Sequence, residues 1–265
     1  MIGAIAGDII GSVYERRPIK TREFPLFSEG CCFTDDSVLT LAVARAILDG
    51  TGYQPAVQQL GRQYPHAGYG GSFLRWLMTD HPQPYNSWGN GSAMRVSAIG
   101  FAFDDLARVL SEAEQSAQIS HNHPEGIKGA QATAAAVFLA RTGTDREGIR
   151  TEIENRFDYD LSRTLDNIRP GYRFDVSCQG SVPEAITAFL ESRSYEDAIR
   201  NAISLGGDSD TLACIAGGMA EAYYGTVPDD VIEKVRLYLT DDLWQIVQRF
   251  YQTFHLPSAN FLGTL

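Results

Sequence analysis

Gly3, Gly7 and Gly11 stand at i, i+4 and i+8 in the apolar opening MIGAIAGDIIGSVYE. Glycine costs a helix interior about 1 kcal/mol relative to alanine, so a row of glycines on one face points to a second backbone passing too close for a Cβ. The row therefore requires a helix over residues 2–13 with a neighbour packed hard against it. The same segment is poor as a membrane span or leader. It is too short to cross a bilayer, lacks a basic n-region and carries Asp8 in its middle. It reads as a first, buried helix.

Helical periodicity continues along the chain. Residues 36–48 (DSVLTLAVARAIL) form an apolar helix closed by Gly50. Further helices are expected near 54–64, 72–78, 92–102, 105–119, 124–141 and 146–156, then near 183–192, 195–204, 210–223, 228–239 and 241–253. Ser194 with Asp197 resembles a capping box, and Pro183 and Pro228 suit first helical turns. The stretch 142–176 is more charged and less periodic, and reads as a surface excursion. Strand-like alternation is scarce, and neither a fixed-period repeat nor a Pro/Ser-rich linker divides the chain. With 265 residues, 44% hydrophobic and 21% charged, one large core is within reach. The expectation is one all-α domain over residues 1–265.

The net charge of −11 opposes non-specific binding to nucleic acid or to an anionic membrane. Cys31, Cys32, Cys178 and Cys214 show no C-x-x-C spacing, which argues against structural zinc. The vicinal pair reads as reduced, partly buried thiols of a cytoplasmic protein.

The chemistry concentrates in Gly206-Gly207-Asp208-Ser209-Asp210-Thr211. A helix cap needs one acceptor, and this turn offers four oxygen-bearing side chains. Oxygen donors at that density suit a hard cation such as Mg²⁺ or Mn²⁺. The two glycines allow a sharp turn and leave room for a ligand. Thr34-Asp35-Asp36 is a second cluster, but Thr and Asp are favoured N-caps and acids complement a helix N-terminus. Thr240-Asp241-Asp242, also before an apolar helix, is an internal control for that capping reading. Glu15 ends the first helix, where the dipole disfavours an acid, so either solvent or a cation holds it.

Two glycine-rich loops, Gly68–Ser72 and Asn86–Ser92, lead into helices and present free N–H groups of the kind that meet phosphates. Tyr69, Tyr85 and Trp88 beside them are candidates to stack on a base. Plain turns explain the loops as well, since neither is a phosphate-binding loop or a strand-linked dinucleotide fingerprint. His121-Asn122-His123-Pro124 offers a phosphate donor or metal ligand on one reading, and a cap before the next helix on the other.

Six stretches stand out together: IGAIAGDIIGSVYE (2–15), FTDDSVLTLAVA (33–44), WGNGSAMRVSAIG (88–100), HNHPEGIKGAQA (121–132), SVPEAITAFL (181–190) and GGDSDTLACIAGGMAEAYYG (206–225). As an ordered set they resemble the ADP-ribosylglycohydrolase family. The resemblance implies an all-α, orthogonally packed helical bundle holding two divalent cations, Mg²⁺ or Mn²⁺, on Thr34, Asp35, Asp36, Asp208, Asp210 and Thr211. It implies catalytic roles for Glu15, the family's mobile glutamate, and for Asp36. Contacts to ADP-ribose fall on Gly70, Gly71, Ser87, Trp88, Gly89, Asn90, Gly91 and His121. The implied activity is hydrolysis of the glycosidic bond at C1″ of ADP-ribose on an ADP-ribosylated protein or small conjugate, with release of ADP-ribose. A non-catalytic ADP-ribose-binding module and a dimetal nucleotide phosphohydrolase are the alternatives. Neither the acceptor linkage nor the oligomeric state has a signal in the sequence.

Overall fold

A computed structural model of the chain describes residues 1–257; the last eight residues of the expected 1–265 domain lie outside the described residues. The described residues hold fourteen helices and no β-strand, with one isolated bridge between Gly89 and Ser177. In chain order they are α1 (Ile2–Glu15), α2 (Asp35–Asp49), α3 (Tyr53–Gln63), α4 (Gly71–Met78), α5 (Ser97–Ala102), α6 (Leu106–Gln118) and α7 (Pro124–Arg141). There follow α8 (Arg146–Phe157), α9 (Leu165–Ile168), α10 (Cys178–Leu190), α11 (Tyr195–Ile203), α12 (Ser209–Tyr224), α13 (Asp229–Tyr238) and α14 (Asp241–Thr253). Among the described residues no helix is long and apolar enough to cross a membrane.

The glycine row finds its neighbour in α12. A Cβ on Gly3 would stand 2.6 Å from the Gly217 carbonyl oxygen, one on Gly7 2.1 Å from that of Ala213, and one on Gly11 2.5 Å from the Asp210 Cα. No real side chain fits at those distances, so alanine at Gly7 would force the helices apart. The order of these contacts makes α1 and α12 antiparallel. The C-terminal half of α1, ending at Glu15, is thereby laid beside the start of α12, which begins after Asp208. Helices α7, α10 and α11 also pack on α12, and its residues from Ser209 to Ala222 are buried. Burying side chains such as Leu212, Ile215 and Met219 contributes about 1.5–3 kcal/mol each, which fixes this helix at the centre of the core.

Several expected boundaries move, each for a local reason. The helix expected over 92–102 begins instead as two 3₁₀ turns, 90–92 and 94–96, and becomes α-helical at Ser97. Here Asn90 reaches out to Ser181 and Asp208, while the buried Arg95 bonds the Ser116 carbonyl, and the tighter coil serves both. Pro183 lies inside α10 rather than in its first turn. The helix starts earlier because the Ser177 side chain accepts from the Gly180 N–H, and Cys178 N–H bonds the Trp88 carbonyl at 2.9 Å. Pro228 is the N-cap of α13, one position before the turn expected for it. Ser194 does cap α11, accepting from the Asp197 N–H. The 142–176 stretch is more than a surface excursion: Ile149, Ile153, Leu161 and Leu165 join the core, and its last residues return to the cleft described next.

Candidate active site

The end of α1 and the starts of α2 and α12 converge on a cluster of carboxylates. Glu15, Asp208 and Asp210 each offer one oxygen within 4.8 Å of the others. Asp36 is only 3% exposed, and its Oδ2 has no hydrogen-bond partner. The Thr211 side chain favours the charged forms of both Asp36 and Asp208, which places it between the two helix starts. Among the described residues no lysine or arginine forms an ion pair with any of these groups. Two like charges about 5 Å apart repel by roughly 3 kcal/mol at an effective dielectric of about 20. Burial first, and neighbouring carboxylates second, push Asp36 and Asp210 well above the ordinary carboxylate range and Asp35 up to about 8. Glu15 and Asp208 shift upward as well, chiefly by burial. A dense set of buried oxygen donors, one of them unpartnered, with no ion-paired lysine or arginine among the described residues and only Arg16 drawing Glu15 down from a distance, fits a divalent metal ion.

Capping does not account for Asp208. It is the N-cap residue of α12 but makes no side-chain cap bond; its Oδ2 accepts from Asn90 Nδ2 at 2.7 Å instead. Thr34 does both jobs, since its hydroxyl accepts from the Asp36 N–H at 3.3 Å and its residue also faces the cleft. Thr240-Asp241-Asp242 lies away from the cleft. Asp241 pairs with Arg236 and Asp242 accepts from Tyr64, both at the surface. Asp241→Ala is therefore expected to leave turnover near wild type, because exposed pairs contribute little. A dead variant would mean that the wrong Thr-Asp-Asp tripeptide has been placed in the site.

Sequence reasoning missed Asp8. Its fully buried carboxylate accepts from Thr34 N–H at 2.9 Å, from the Thr34 hydroxyl at 2.6 Å and from Ser37 N–H at 3.1 Å, with a fourth bond from the Ser37 hydroxyl. An acid on α1 thus holds the start of α2 in place. Burial pushes Asp8 up to about 6 against these four donors. The signal was present as an aspartate in the middle of an otherwise apolar helix, which must be buried and therefore bonded.

A cleft of about 980 Å³ opens over the cluster, lined by Glu15, the six expected metal ligands and the eight residues expected to contact ADP-ribose. The two glycine loops and His121 complete its lining. Gly68 has φ +108°, and a Cβ there would stand 3.3 Å from Asp35 Oδ1. His121 is buried and held neutral by that burial, with Nδ1 bonded to the Ser120 hydroxyl at 2.7 Å. Its Nε2 stands 3.5 Å and 3.3 Å from where Cβ atoms on Gly89 and Gly91 would lie. His123 is the N-cap of α7, accepting from the Glu125 N–H at 3.1 Å, so the capping role falls to His123, while His121 lines the cleft. Tyr69 is not free to stack on a ligand: it is buried against Phe73 and bonds the Gly61 carbonyl. Gly207 likewise makes no room for one, being packed on the Tyr172 ring. Phe174 and Val176 reach the rim because Asn90 N–H bonds the Val176 carbonyl at 2.7 Å.

The profile of the ADP-ribosylglycohydrolase family matches residues 1–260. ADP-ribosylhydrolase ARH3 of Bos taurus is 26% identical over 336 residues, covering 95% of this chain and 92% of that protein. The Homo sapiens protein of the same name is 26% identical over 335 residues, with the same shares covered. ADP-ribosylarginine hydrolase Tri1 of Pseudomonas putida (strain GB-1) is 31% identical over 161 residues, 56% of this chain and 42% of that one. A solved chain described as an ADP-ribosylglycohydrolase-related protein complex shares the fold, with a TM-score of 0.75 at 23% identity over 96% of this chain and 95% of its own. With the family profile running through nearly all of the sequence, and five of the six ordered motifs contributing residues to one cleft, the chain belongs to the ADP-ribosylglycohydrolase family and is an enzyme of that type.

Proposed function

We propose that this protein is a divalent-cation-dependent hydrolase that cleaves the glycosidic bond at C1″ of ADP-ribose attached to a protein or small-molecule acceptor, releasing ADP-ribose. The observation that carries this reading is the buried carboxylate cluster, without an ion-paired cation among the described residues, in a cleft lined by two glycine loops. Thr34, Asp35, Asp36, Asp208, Asp210 and Thr211 would hold two cations, Mg²⁺ or Mn²⁺. Bound there, the cations would supply positive charge that orients the ribose hydroxyls and acidifies water.

The chain's own residues do the rest. Glycosidic cleavage develops an oxocarbenium-like centre, and a positioned carboxylate assists the attack of water. Glu15 is half-buried at the cleft wall while Asp208 and Asp210 are fully buried, so it is the carboxylate of the three best placed to meet solvent water. We assign it as base or gate, with the unpartnered oxygen of Asp36 as the second choice. Free N–H groups at Gly70 and Gly71, where α4 begins, face the cleft with the Ser87–Gly91 loop and suit the pyrophosphate. Trp88, 52% exposed and edge-on to His123 at 5.7 Å, offers a free face to adenine. Trp88→Ala should weaken ADP-ribose binding by about 0.5–1.5 kcal/mol; unchanged affinity in calorimetry would remove Trp88 from the adenosine side.

A product-resolved assay tests the whole reading. ADP-ribosylated proteins and small conjugates are incubated with enzyme plus Mg²⁺ or Mn²⁺, and products are separated. Cation-dependent release of intact ADP-ribose is the expected result. Tight binding without any release would make the protein a binding module, and release of AMP or phosphate would make it a phosphohydrolase.

A further inference from the structure

Resting on that reading, we propose that the acceptor is a polypeptide carrying acidic side chains next to the modified residue, selected by Arg16 and Arg17 at the cleft mouth. The chain has 22 lysines and arginines in a molecule of net charge −11. Thirteen of them are in ion pairs with carboxylates. Arg16 and Arg17 are not. Both are exposed, both line the cleft, and neither side chain bonds anything among the described residues. They follow directly on Glu15, the carboxylate that approaches Asp208 and Asp210. The glycine loops and His121 line the same cleft, so a ligand held by the loops and the cluster has the two arginines within the lining that it meets.

The rest of the rim points to a polypeptide rather than a small molecule. Five large apolar side chains are exposed among the described residues; besides Trp88, assigned above to adenine, Phe174 and Val176 line this cleft with no role in holding ADP-ribose. Phe174 and Val176 are 55% and 53% exposed and belong to the strap that packs on Gly207, just before Asp208. The strap is tied down by Lys20, whose ammonium donates to the Arg169 and Tyr172 carbonyls at 2.8 Å each and also to that of Leu205. The mouth thus presents two free guanidinium groups and a held apolar edge. On an otherwise acidic surface this is where a carboxylate-bearing chain is attracted rather than repelled.

The test uses peptides ADP-ribosylated at one serine or one arginine, each made in two versions with Asp/Glu or Asn/Gln flanking the modified residue. ADP-ribose release by the full-length, cation-loaded enzyme gives kcat/KM for each. The acidic version should be favoured about three- to tenfold at low salt, with the preference shrinking as salt rises. The Arg16→Gln/Arg17→Gln double variant should bring the ratio close to one, and Arg193→Gln, which removes an exposed arginine outside this cleft, should keep it. Equal rates for the two versions, or a preference that survives the double variant, overturn the assignment while leaving the hydrolase reading intact. A lowered melting temperature with an unchanged ratio would mean that the arginines serve only the C-terminus of α1, and overturns it too. No release of ADP-ribose from any peptide overturns the hydrolase reading itself, and this proposal with it.

Discussion

Asp208→Ala is expected to lower cation-dependent release of ADP-ribose by roughly a thousandfold or more, while the far-UV circular dichroism remains that of the native helical protein. The separation of the two effects follows from what Asp208 touches. It begins α12 without capping it, so the helix loses no cap bond when the carboxylate goes. Its donor Asn90 keeps a second bond, to the Ser181 hydroxyl at 3.1 Å. The cavity left behind costs some stability, but one charge leaves a buried set in which like charges already oppose each other. The loss of function, in contrast, has no substitute nearby. Asp210 already belongs to the same cluster, and the Ser209 hydroxyl is taken up by the Gly207 carbonyl at 3.2 Å. Asp36→Ala should behave alike. Asp208→Asn is the companion that keeps the volume and removes only the charge, so a shared loss in both variants assigns the effect to the carboxylate. Undiminished turnover in Asp208→Ala or Asp36→Ala would sink the site assignment.

Much of the architecture behind that expectation is legible in the sequence, and the misses have physical causes. The glycine row announces a close backbone neighbour but cannot say which one. Its partner α12 has its own small-residue face, and a Cβ at Gly217 would stand 2.2 Å from the Gly3 carbonyl oxygen, so the match is mutual yet invisible until both faces are compared. The helix starts at Asp35 and Ser209 are legible because capping chemistry and the end of an apolar period coincide there. Whether Thr34 caps or serves the site is not a choice the sequence can make, since one hydroxyl accepts from Asp36 N–H while donating to Asp8. Phe174 and Val176 escape sequence reading entirely. Their place at the rim is set by a pairing of residues near 177 with residues near 89, a long-range contact that leaves no periodic trace. Pro183 misleads for a related reason: the cap that starts its helix, Ser177, is fixed by that same pairing.

The second large effect concerns the protein stripped of metal. With EDTA present, the melting temperature should fall as pH rises from about 6.5 to about 8, and Mg²⁺ or Mn²⁺ should raise it far more at pH 8 than at pH 5. The direction comes from the carboxylates. An ordinary aspartate has lost its proton by about pH 4, while in the fold burial and neighbouring charge hold Asp35 up to about 8 and Asp36 and Asp210 well above the ordinary range. Between those limits the native state binds protons that the unfolded chain has released, so the free energy of unfolding falls as pH climbs. Asp8, raised to about 6, adds to the same slope at the acid end. Two groups act the other way. His121 is buried neutral, so it opposes the trend below its ordinary value, and the Met1 amine, drawn down to about 6 by burial, opposes it between about 6 and 8. Neither belongs to the carboxylate cluster, so the difference between melting curves with and without cation isolates the carboxylates. Ions bind the deprotonated oxygens, so they remove the repulsion where it is greatest, and the increment at pH 8 should be on the order of 10 °C. Differential scanning fluorimetry at four pH values, in EDTA and in each cation, measures it directly. A cation increment that is the same at pH 5 and pH 8 would show that these carboxylates do not form the metal site, and an increment that survives in Asp36→Ala would place the ion elsewhere.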